Sequence, residues 1–222
     1  MSGGLAATAD PWVRWDWVSR HTHTITAALR QHVVLTGVSV AVGLLVSIPL
    51  GVIAWRWRRW QQPIFAVAGI LYTIPAIALF ALLVPITHLT ARTVEIGLVL
   101  YSLLIMIRNV VAGLDAVPDD VREAARGMGF TPMRQLLRVE LPLALPAIVA
   151  GVRIATVSTI GLVTIGALIG TGGLGQLVYQ GLIQEFRTPL VVGAVLSVAL
   201  AATADVVLLG VQKLLTPWAR SS

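Results

Sequence analysis

Five long apolar stretches, separated by short polar segments, make up most of the chain. They lie near residues 33–54, 64–86, 94–114, 143–169 and 188–211, and the middle third of each is nearly free of charge. A helix needs roughly 20 residues to cross a hydrocarbon core of about 30 Å. Backbone groups in lipid must also find hydrogen-bond partners within their own segment. The pattern therefore predicts an all-α, polytopic membrane protein with about five transmembrane helices.

The composition agrees with this prediction. Hydrophobic residues make up 57% of the chain and charged residues 12%, and the mean hydropathy is +0.86. A soluble domain carries about 25% charged residues, so this chain lacks the polar surface that a soluble protein needs. The net charge of +6 is explained by arginines in cytoplasmic loops rather than by nucleic-acid binding. The absence of cysteine excludes disulfides and thiolate metal sites.

We interpret the chain as one transmembrane domain, residues 31–213, with two short flanking segments. Residues 1–30 form an amino-terminal segment whose tryptophans and histidines suit the membrane interface, and His32, just after it, is expected to be interfacial as well. Residues 214–222 form a short cytoplasmic tail. There is no sign of a cleavable signal peptide in the first thirty residues, which lack a basic start followed by an apolar run.

Basic residues predict the orientation of the spans, because lysine and arginine are enriched in cytoplasmic loops. With the amino terminus outside and the carboxyl terminus in the cytoplasm, nine basic residues fall inside and five outside. The inside set is Arg56, Arg58, Arg59, Arg122, Arg126, Arg134, Arg138, Lys213 and Arg220. We therefore expect an amino terminus outside, and we expect the long loop 115–142 to be cytoplasmic.

This loop contains signals for two short helices. Asp120 and Glu123 have the spacing of a capping box, which predicts that the first helix begins there. Gly127 and Gly129 predict its end, because glycine adopts the left-handed conformation at little steric cost.

A second helix is predicted to follow directly. Thr131 can cap it, Pro132 suits its first position, and Pro142 is expected to end it. Two helices joined by glycines also resemble a DNA-binding helix-turn-helix. That fold needs a third helix and a soluble core, for which the loop has no room. The expectation is instead a compact helical elbow that docks another protein.

The loop also carries a specific motif. Glu123-Ala124-Ala125 is followed after three residues by Gly129, and nine further residues lead to Val139, one residue and Leu141-Pro142. This resembles the "EAA" signature of bacterial ABC importer permeases, with valine where isoleucine is usual. The resemblance implies a coupling helix that sits in a groove of a cytoplasmic ATPase. The implied coupling residues are Glu123, Ala124, Ala125, Gly127, Gly129, Leu141 and Pro142, with the small side chains allowing a close approach.

Three further segments resemble permeases for glycine betaine, choline, carnitine and related osmoprotectants. They are "LYTIPAIALFALLVP" (71–85), "IRNVVAGLDAVPDDVREAARGMG" (107–129) and "LIGTGGLGQLVYQGL" (168–182). The alternatives are the permease of a methionine-type amino-acid importer and, in another class, a channel subunit. A channel would have no need for an ATPase-docking elbow.

Five residues are candidates for the translocation path: Tyr72, Pro75, Gly172, Gly173 and Asp205. Pro75 is expected to kink its helix. The glycine-rich segment around Gly172 and Gly173 is read as a tight re-entry, a flexible gate or a plain loop. Asp205 lies deep in the last span, where a lone carboxylate is costly, so we expect it to be paired, protonated or facing water.

Two arginines near the cytoplasmic ends of spans, Arg108 and Arg153, are expected to extend to the interface. We predict that neither contacts substrate.

Catalytic machinery is not visible in the sequence. There is no His-Glu-x-x-His motif, nucleophile elbow or phosphate-binding loop, and we expect no metal and no cofactor in this chain. ATP and Mg²⁺ are therefore expected on a partner ATPase. The other expected partners are membrane lipid, an extracytoplasmic solute-binding protein and a second permease copy or sister permease that completes a dimeric pore.

Overall fold

A computed structural model of the protein describes residues 11–217, which consist of helices and turns without a strand. The helices are α1 (Trp15–Arg20), α2 (Thr22–Arg56), α3 (Arg58–Thr73), α4 (Ala76–Thr87), α5 (Ala91–Asp115), α6 (Asp119–Gly127), α7 (Pro132–Gln135), α8 (Leu141–Ile165), α9 (Leu174–Ile183) and α10 (Arg187–Leu215). A π-helical turn, Leu136–Glu140, joins α7 to α8, and a 3₁₀ turn, Gly166–Ile169, extends α8. The expected all-α fold is confirmed.

Four segments within the described residues are long and apolar enough to cross a membrane alone. They are Thr22–Arg56, Ala91–Asp115, Pro132–Ile169 and Arg187–Leu215. Helices α3 and α4 meet the same criterion only as a pair, which is bent by 97°. The expected number of about five spans is therefore reached if this pair forms one broken span.

The positions of the two ends of the pair show that it does so. The Arg58 Nη2 atom lies 2.6 Å from Asp115 Oδ1, so α3 begins beside the last residue of α5. Helix α4 ends at Thr87, shortly before α5 begins at Ala91. The pair therefore starts at one end of α5 and finishes at the other, as a broken span does and a re-entrant loop does not.

Helices α2, α5 and α8 form the centre of the bundle. One buried cluster joins Leu35, Leu98 and Val163 with Phe80 of α4, and a second joins Val110 and Leu114 with Ala144 and Ile148. Inside a bilayer, helix association relies on close van der Waals packing, which small residues permit. The central trio accordingly meets at glycines.

Gly51 of α2 and Gly151 of α8 are two such points. A Cβ atom at Gly51 would lie 2.5 Å from the Val110 side chain, and one at Gly151 would lie 2.5 Å from the Asn109 side chain. Both distances are far below a normal contact, so a larger residue would force α2 or α8 away from α5. Close packing at a glycine is thus observed between α5 and each of its two central neighbours.

The amino-terminal segment packs on the turn between α9 and α10. The backbone N–H of Arg14 donates to Thr188 Oγ1 at 3.0 Å, and the Trp17 ring meets Phe186 edge-on with centroids 5.7 Å apart. Trp12 and Trp15 are exposed. Since α2 begins at Thr22, the helix passes through the expected boundary at residue 30 without a break. Residues 1–10 lie outside the described part of the chain.

The carboxyl-terminal end lies at the other end of the bundle. The Gln212 Nε2 atom donates to the carbonyl oxygen of Pro146 at 3.2 Å, which places the end of α10 beside the start of α8. Helix α10 continues to Leu215, beyond the expected boundary at residue 213. The rest of the predicted tail, residues 218–222, lies outside the described residues. The described chain thus starts and finishes at opposite ends of the bundle.

Candidate functional site

Residues 119–140, here called the elbow, comprise α6, the turn after it, α7 and the π-helical turn. Helix α6 begins at Asp119 with Pro118 in the N-cap position and without a side-chain cap. Asp120 lies inside the first turn, where its Oδ1 accepts the Val121 N–H at 2.9 Å, and Glu123 is exposed. The predicted capping box of Asp120 and Glu123 is therefore wrong, because a box needs its first residue at the N-cap, before the helix.

The end of α6 has the predicted glycine geometry. Gly127 is its last residue, and Gly129 has a φ angle of 77° in the left-handed region. The Phe130 N–H donates to the Ala125 carbonyl at 3.1 Å and the Gly129 N–H to the Arg126 carbonyl at 2.9 Å. These two bonds form a Schellman motif, which fixes the direction in which the chain leaves α6.

The second half of the elbow begins as predicted and ends differently. Thr131 Oγ1 accepts the Arg134 N–H at 3.4 Å, and Pro132 is the first residue of α7. The prediction that Pro142 ends this helix is wrong, because Pro142 is the second residue of α8. Proline normally clashes with the carbonyl four residues earlier. The wider π-helical turn, whose bonds reach five residues back, precedes Pro142 and relieves that clash.

The helix therefore runs from the elbow into the membrane span without interruption. Residues 132–169 form one continuous helical segment. No flexible loop therefore separates α7 from α8.

A buried ion pair holds the two halves of the elbow together. Glu140 is 3% exposed, and its Oε1 lies 3.4 Å from Arg122 Nε and accepts the Gln135 Nε2–H at 2.8 Å. Burying such a carboxylate is tolerable only with partners of this kind. Arg122 was noted from the sequence only as a cytoplasmic basic residue, and Glu140 was not selected, although a glutamate just before an apolar run is a detectable signal.

Arg122 also ties the elbow to the bundle. Its Nη2–H donates to the Leu114 carbonyl at 2.6 Å, and its guanidinium lies 5.3 Å from the centroid of the Trp55 ring. The same side chain therefore contacts the end of α2 and the end of α5. A cavity of about 490 Å³ lies beside it, lined in part by Trp57, Arg126 and Phe130.

The exposure of the motif residues divides them into two groups. Glu123, Ala124, Gly127 and Gly129 are exposed, whereas Ala125 is 1% exposed and packs inward. Leu141 and Pro142 are half-buried at the start of α8. The expectation that Ala125 offers surface to a partner is therefore wrong, and its small size instead lets α6 lie close to the bundle.

Apolar side chains border the exposed group. Met128, Met133 and Leu137 are 68%, 64% and 57% exposed. Together with the small residues of α6 they form an exposed apolar surface at the tip of the elbow, the type of surface that marks a protein contact.

Of the five candidate path residues, the structure brings Tyr72 and Pro75 together. Pro75 does not kink one helix as predicted. It stands at the break between α3 and α4, in the N-cap position of α4. Both residues line an open cavity of about 540 Å³ that is bordered by α3, α4, α5 and α8.

Gly172 and Gly173 lie elsewhere, in a tight turn packed against α2. Gly173 has a φ angle of 53°, and its N–H donates to Gln31 Oε1 at 3.1 Å. The next N–H, of Leu174, donates to His32 Nδ1 at 3.3 Å, while His32 Nε2 lies 3.0 Å from the Ile160 carbonyl oxygen. The interpretation of His32 as interfacial is wrong, since the ring is fully buried and joins three elements.

Asp205 is paired, which is one of the three expected alternatives, and its partner is Arg153. The Arg153 Nε and Nη2 atoms lie 3.0 and 2.9 Å from Asp205 Oδ1, and Nη2 lies 3.0 Å from Oδ2. Gln212 Oε1 accepts from Arg153 Nη1 at 3.2 Å. Arg153 thus has partners on α10 that the sequence did not predict. The pair joins α8 to α10 and is not part of the lining of the Tyr72 cavity.

The other expected interfacial arginine, Arg108, is exposed and lies 5.6 Å from the centroid of the Phe65 ring. Over residues 11–217 there is no group of three or more metal-binding side chains.

Known transport proteins resemble this chain in sequence and in fold. A model of the family described as "binding-protein-dependent transport system inner membrane component" matches residues 43–221. The osmoprotectant import permease protein OsmW of Salmonella typhimurium is 38% identical over 192 residues, which cover 84% of this chain and 89% of that protein. The glycine betaine/carnitine/choline transport system permease protein OpuCD of Bacillus subtilis is 38% identical over 188 residues, covering 84% and 82%.

Solved structures of the MetNI methionine ABC transporter in inward-facing conformations share the fold. One crystal form gives a TM-score of 0.78 at 28% identity and covers 85% of this chain and 94% of the matched chain. Another gives 0.77 at 24% identity, with 86% and 96% covered. The glycine-ended elbow, its continuation into α8 and the matched length all agree, and the chain belongs to the family of binding-protein-dependent transport system inner membrane components.

Proposed function

We propose that the chain is the transmembrane permease subunit of an ATP-driven importer for quaternary-amine osmoprotectants of the glycine betaine, choline and carnitine class. The main structural support for ATP-driven transport is that the elbow continues into α8 without a break. The printed functions of the OsmW and OpuCD relatives support the substrate class.

Coupling begins at the exposed surface of the elbow. The surface formed by Ala124, Gly127, Gly129 and Met128 docks into a groove of a separate ATPase subunit, a helix-in-groove contact. That subunit binds ATP and Mg²⁺. The Schellman turn and the Arg122–Glu140 pair make the elbow rigid, so its displacement moves α8.

The opposite end of the bundle faces the solute-binding protein. A second permease copy, or a sister permease, completes the pore, because a single bundle of five spans encloses too little volume for a path. Aromatic faces suited to a quaternary ammonium are few along the spans. We therefore assign most of the substrate selection to the binding protein.

Uptake by the reconstituted assembly tests this function. Proteoliposomes with the permease, its ATPase and its binding protein are expected to accumulate radiolabelled glycine betaine or choline only when ATP is inside. Preferential uptake of methionine would assign the chain to an amino-acid importer. Uptake that persists without ATP would indicate a channel.

Thiol labelling in intact cells tests the orientation, with the elbow in the cytoplasm and the amino terminus outside. We expect a Leu89→Cys variant to react with an impermeant thiol reagent and a Met128→Cys variant to remain unlabelled until the membrane is opened. Both side chains are well exposed, at 67% and 68%, so access depends on the side of the membrane. The chain has no cysteine of its own. The reverse labelling pattern would overturn the orientation.

A further inference from the structure

The cavity at the break between α3 and α4 has a lining that suits a small organic cation. Its volume of about 540 Å³ falls within the usual range of ligand pockets. It lies beside Tyr101 and Ser102 near the middle of α5, the depth at which transporters bind substrate at discontinuous helices.

Two of the chain's three tyrosines meet in this cavity. The Tyr72 and Tyr101 rings lie 5.8 Å apart at an angle of 65° and so form an aromatic corner. The Tyr101 hydroxyl donates to the Ile74 carbonyl at the helix break, which fixes that ring in place. Tyr72 is 43% exposed and presents its ring to the open space.

The rest of the lining is polar and uncharged. The Thr73 and Ser102 hydroxyls donate to backbone carbonyls of their own helices at 2.8 and 2.7 Å. The Ser158 and Thr159 hydroxyls make no hydrogen bond within residues 11–217 and remain available to an occupant. None of the described residues that line the cavity is charged.

These features distinguish between classes of solute. A solute with a net negative charge would need a basic side chain, which this lining lacks, whereas the Ser158 and Thr159 hydroxyls can donate to the carboxylate of a zwitterion. A primary ammonium would need acceptors for three N–H groups. A quaternary ammonium donates no hydrogen bond and is attracted by aromatic faces. The carboxyl end of α3 and the amino end of α4 both border the cavity, so their opposite partial charges largely offset each other and the aromatic face remains the feature that favours a cation.

We propose that this cavity is a weak contact site for the quaternary ammonium group during translocation, with Tyr72 as its aromatic contact. The inference rests on the proposed function and deepens it. It places a second, low-affinity recognition step inside the passage, after release from the binding protein.

Protection of an engineered thiol tests the site. A Ser158→Cys variant of the reconstituted permease–ATPase assembly is labelled with a small neutral thiol reagent. Choline at about twice its dissociation constant is expected to slow labelling about threefold, as simple competition requires. The neutral carbon isostere of choline, in which carbon replaces the quaternary nitrogen, is expected to have no effect. A Thr203→Cys variant, exposed on α10 outside the cavity, serves as the labelling control.

Two substitutions identify the contact. Adding Tyr72→Phe to the Ser158→Cys variant keeps the aromatic face and should keep the protection, whereas adding Tyr72→Leu should abolish it. Unchanged labelling of the Thr203→Cys variant carrying Tyr72→Leu shows that the bundle is intact. Absence of choline protection, or protection that survives Tyr72→Leu, would overturn the site.

Uptake distinguishes this result from a failure of the proposed function. If the unsubstituted assembly accumulates quaternary amines but choline gives no protection, the contact site is wrong and the function stands. If it accumulates methionine instead, both the proposed substrate class and the contact site are refuted.

Discussion

A Gly129→Trp variant is expected to insert normally, to lose copurification with the ATPase and to lose solute uptake at least about tenfold. Gly129 has a φ angle of 77°, and a residue with a Cβ atom costs roughly 1–2 kcal/mol in that left-handed region. No atom lies within 4 Å of the position that its Cβ would occupy, so the indole extends outward into the docking surface. The variant therefore weakens the turn and obstructs the partner at once.

Two alanine variants separate these effects. Gly129→Ala adds the conformational strain of a Cβ atom in the left-handed region but not the bulk of an indole ring, so a partial loss of uptake is expected. Gly127→Ala adds a Cβ that also meets nothing within 4 Å, but at a helical position, where alanine is favoured over glycine by about 1 kcal/mol. Any loss of uptake by Gly127→Ala therefore reports the added methyl on the docking surface alone, and it should be smaller than the loss caused by Gly129→Ala. Normal copurification and uptake by Gly129→Trp would refute the docking role of the elbow.

A Glu140→Ala variant is expected to lower the free energy of unfolding by about 3 kcal/mol, the lower end for breaking a buried ion pair. Glu140 is 3% exposed, and its removal leaves the mostly buried Arg122 and Gln135 without their shared partner. The lower end applies because Asp119 still pairs with Arg122. Denaturation of the purified permease in mixed detergent micelles measures this loss.

Asp119→Ala is the matched control, because it removes a carboxylate from the same arginine. The Asp119 side chain is 95% exposed and lies 2.8 Å from Arg122 Nη1. Exposed pairs contribute at most about 1 kcal/mol, so this variant should be nearly as stable as the unsubstituted protein. Glu140→Ala should also hydrolyse more ATP per solute transported, since α6 is no longer held to the π-helical turn. A cost of Asp119→Ala equal to that of Glu140→Ala would contradict the assignment.

The spans and the caps of the elbow were predictable because their signals are local. Hydropathy located each candidate membrane-crossing segment of residues 11–217, although α2 and the helical segment 132–169 both begin about eleven residues before the predicted bounds. Gly129 and Thr131 act through their own backbone and near neighbours, so the turn and the second cap were found from residue type and spacing. The motif of residues 123–142 was recognisable for the same reason.

The predictions that failed concern features that depend on residues distant in sequence or on the type of helical turn that the backbone adopts. Whether Pro142 ends a helix depends on the π-helical turn before it, which has no reliable residue signature. His32 could not be placed in the bundle from the sequence, because its partner carbonyl lies 128 residues away at Ile160. Arg153 and Asp205 were both noticed, yet their pairing across 52 residues required the packing of α10 on α8.

The sequence by itself determined that the chain spans a membrane, where its helices run and where the elbow turns. These properties follow from hydrophobic length, from glycine and proline sterics and from caps that act within a few residues. Only the tertiary structure decided that the elbow is fused to α8, that Arg122 and Glu140 make it rigid and that Tyr72 and Tyr101 share one cavity. Ion pairs, ring contacts and cavities act across a few ångströms of space, and helix packing brings together residues that the sequence separates.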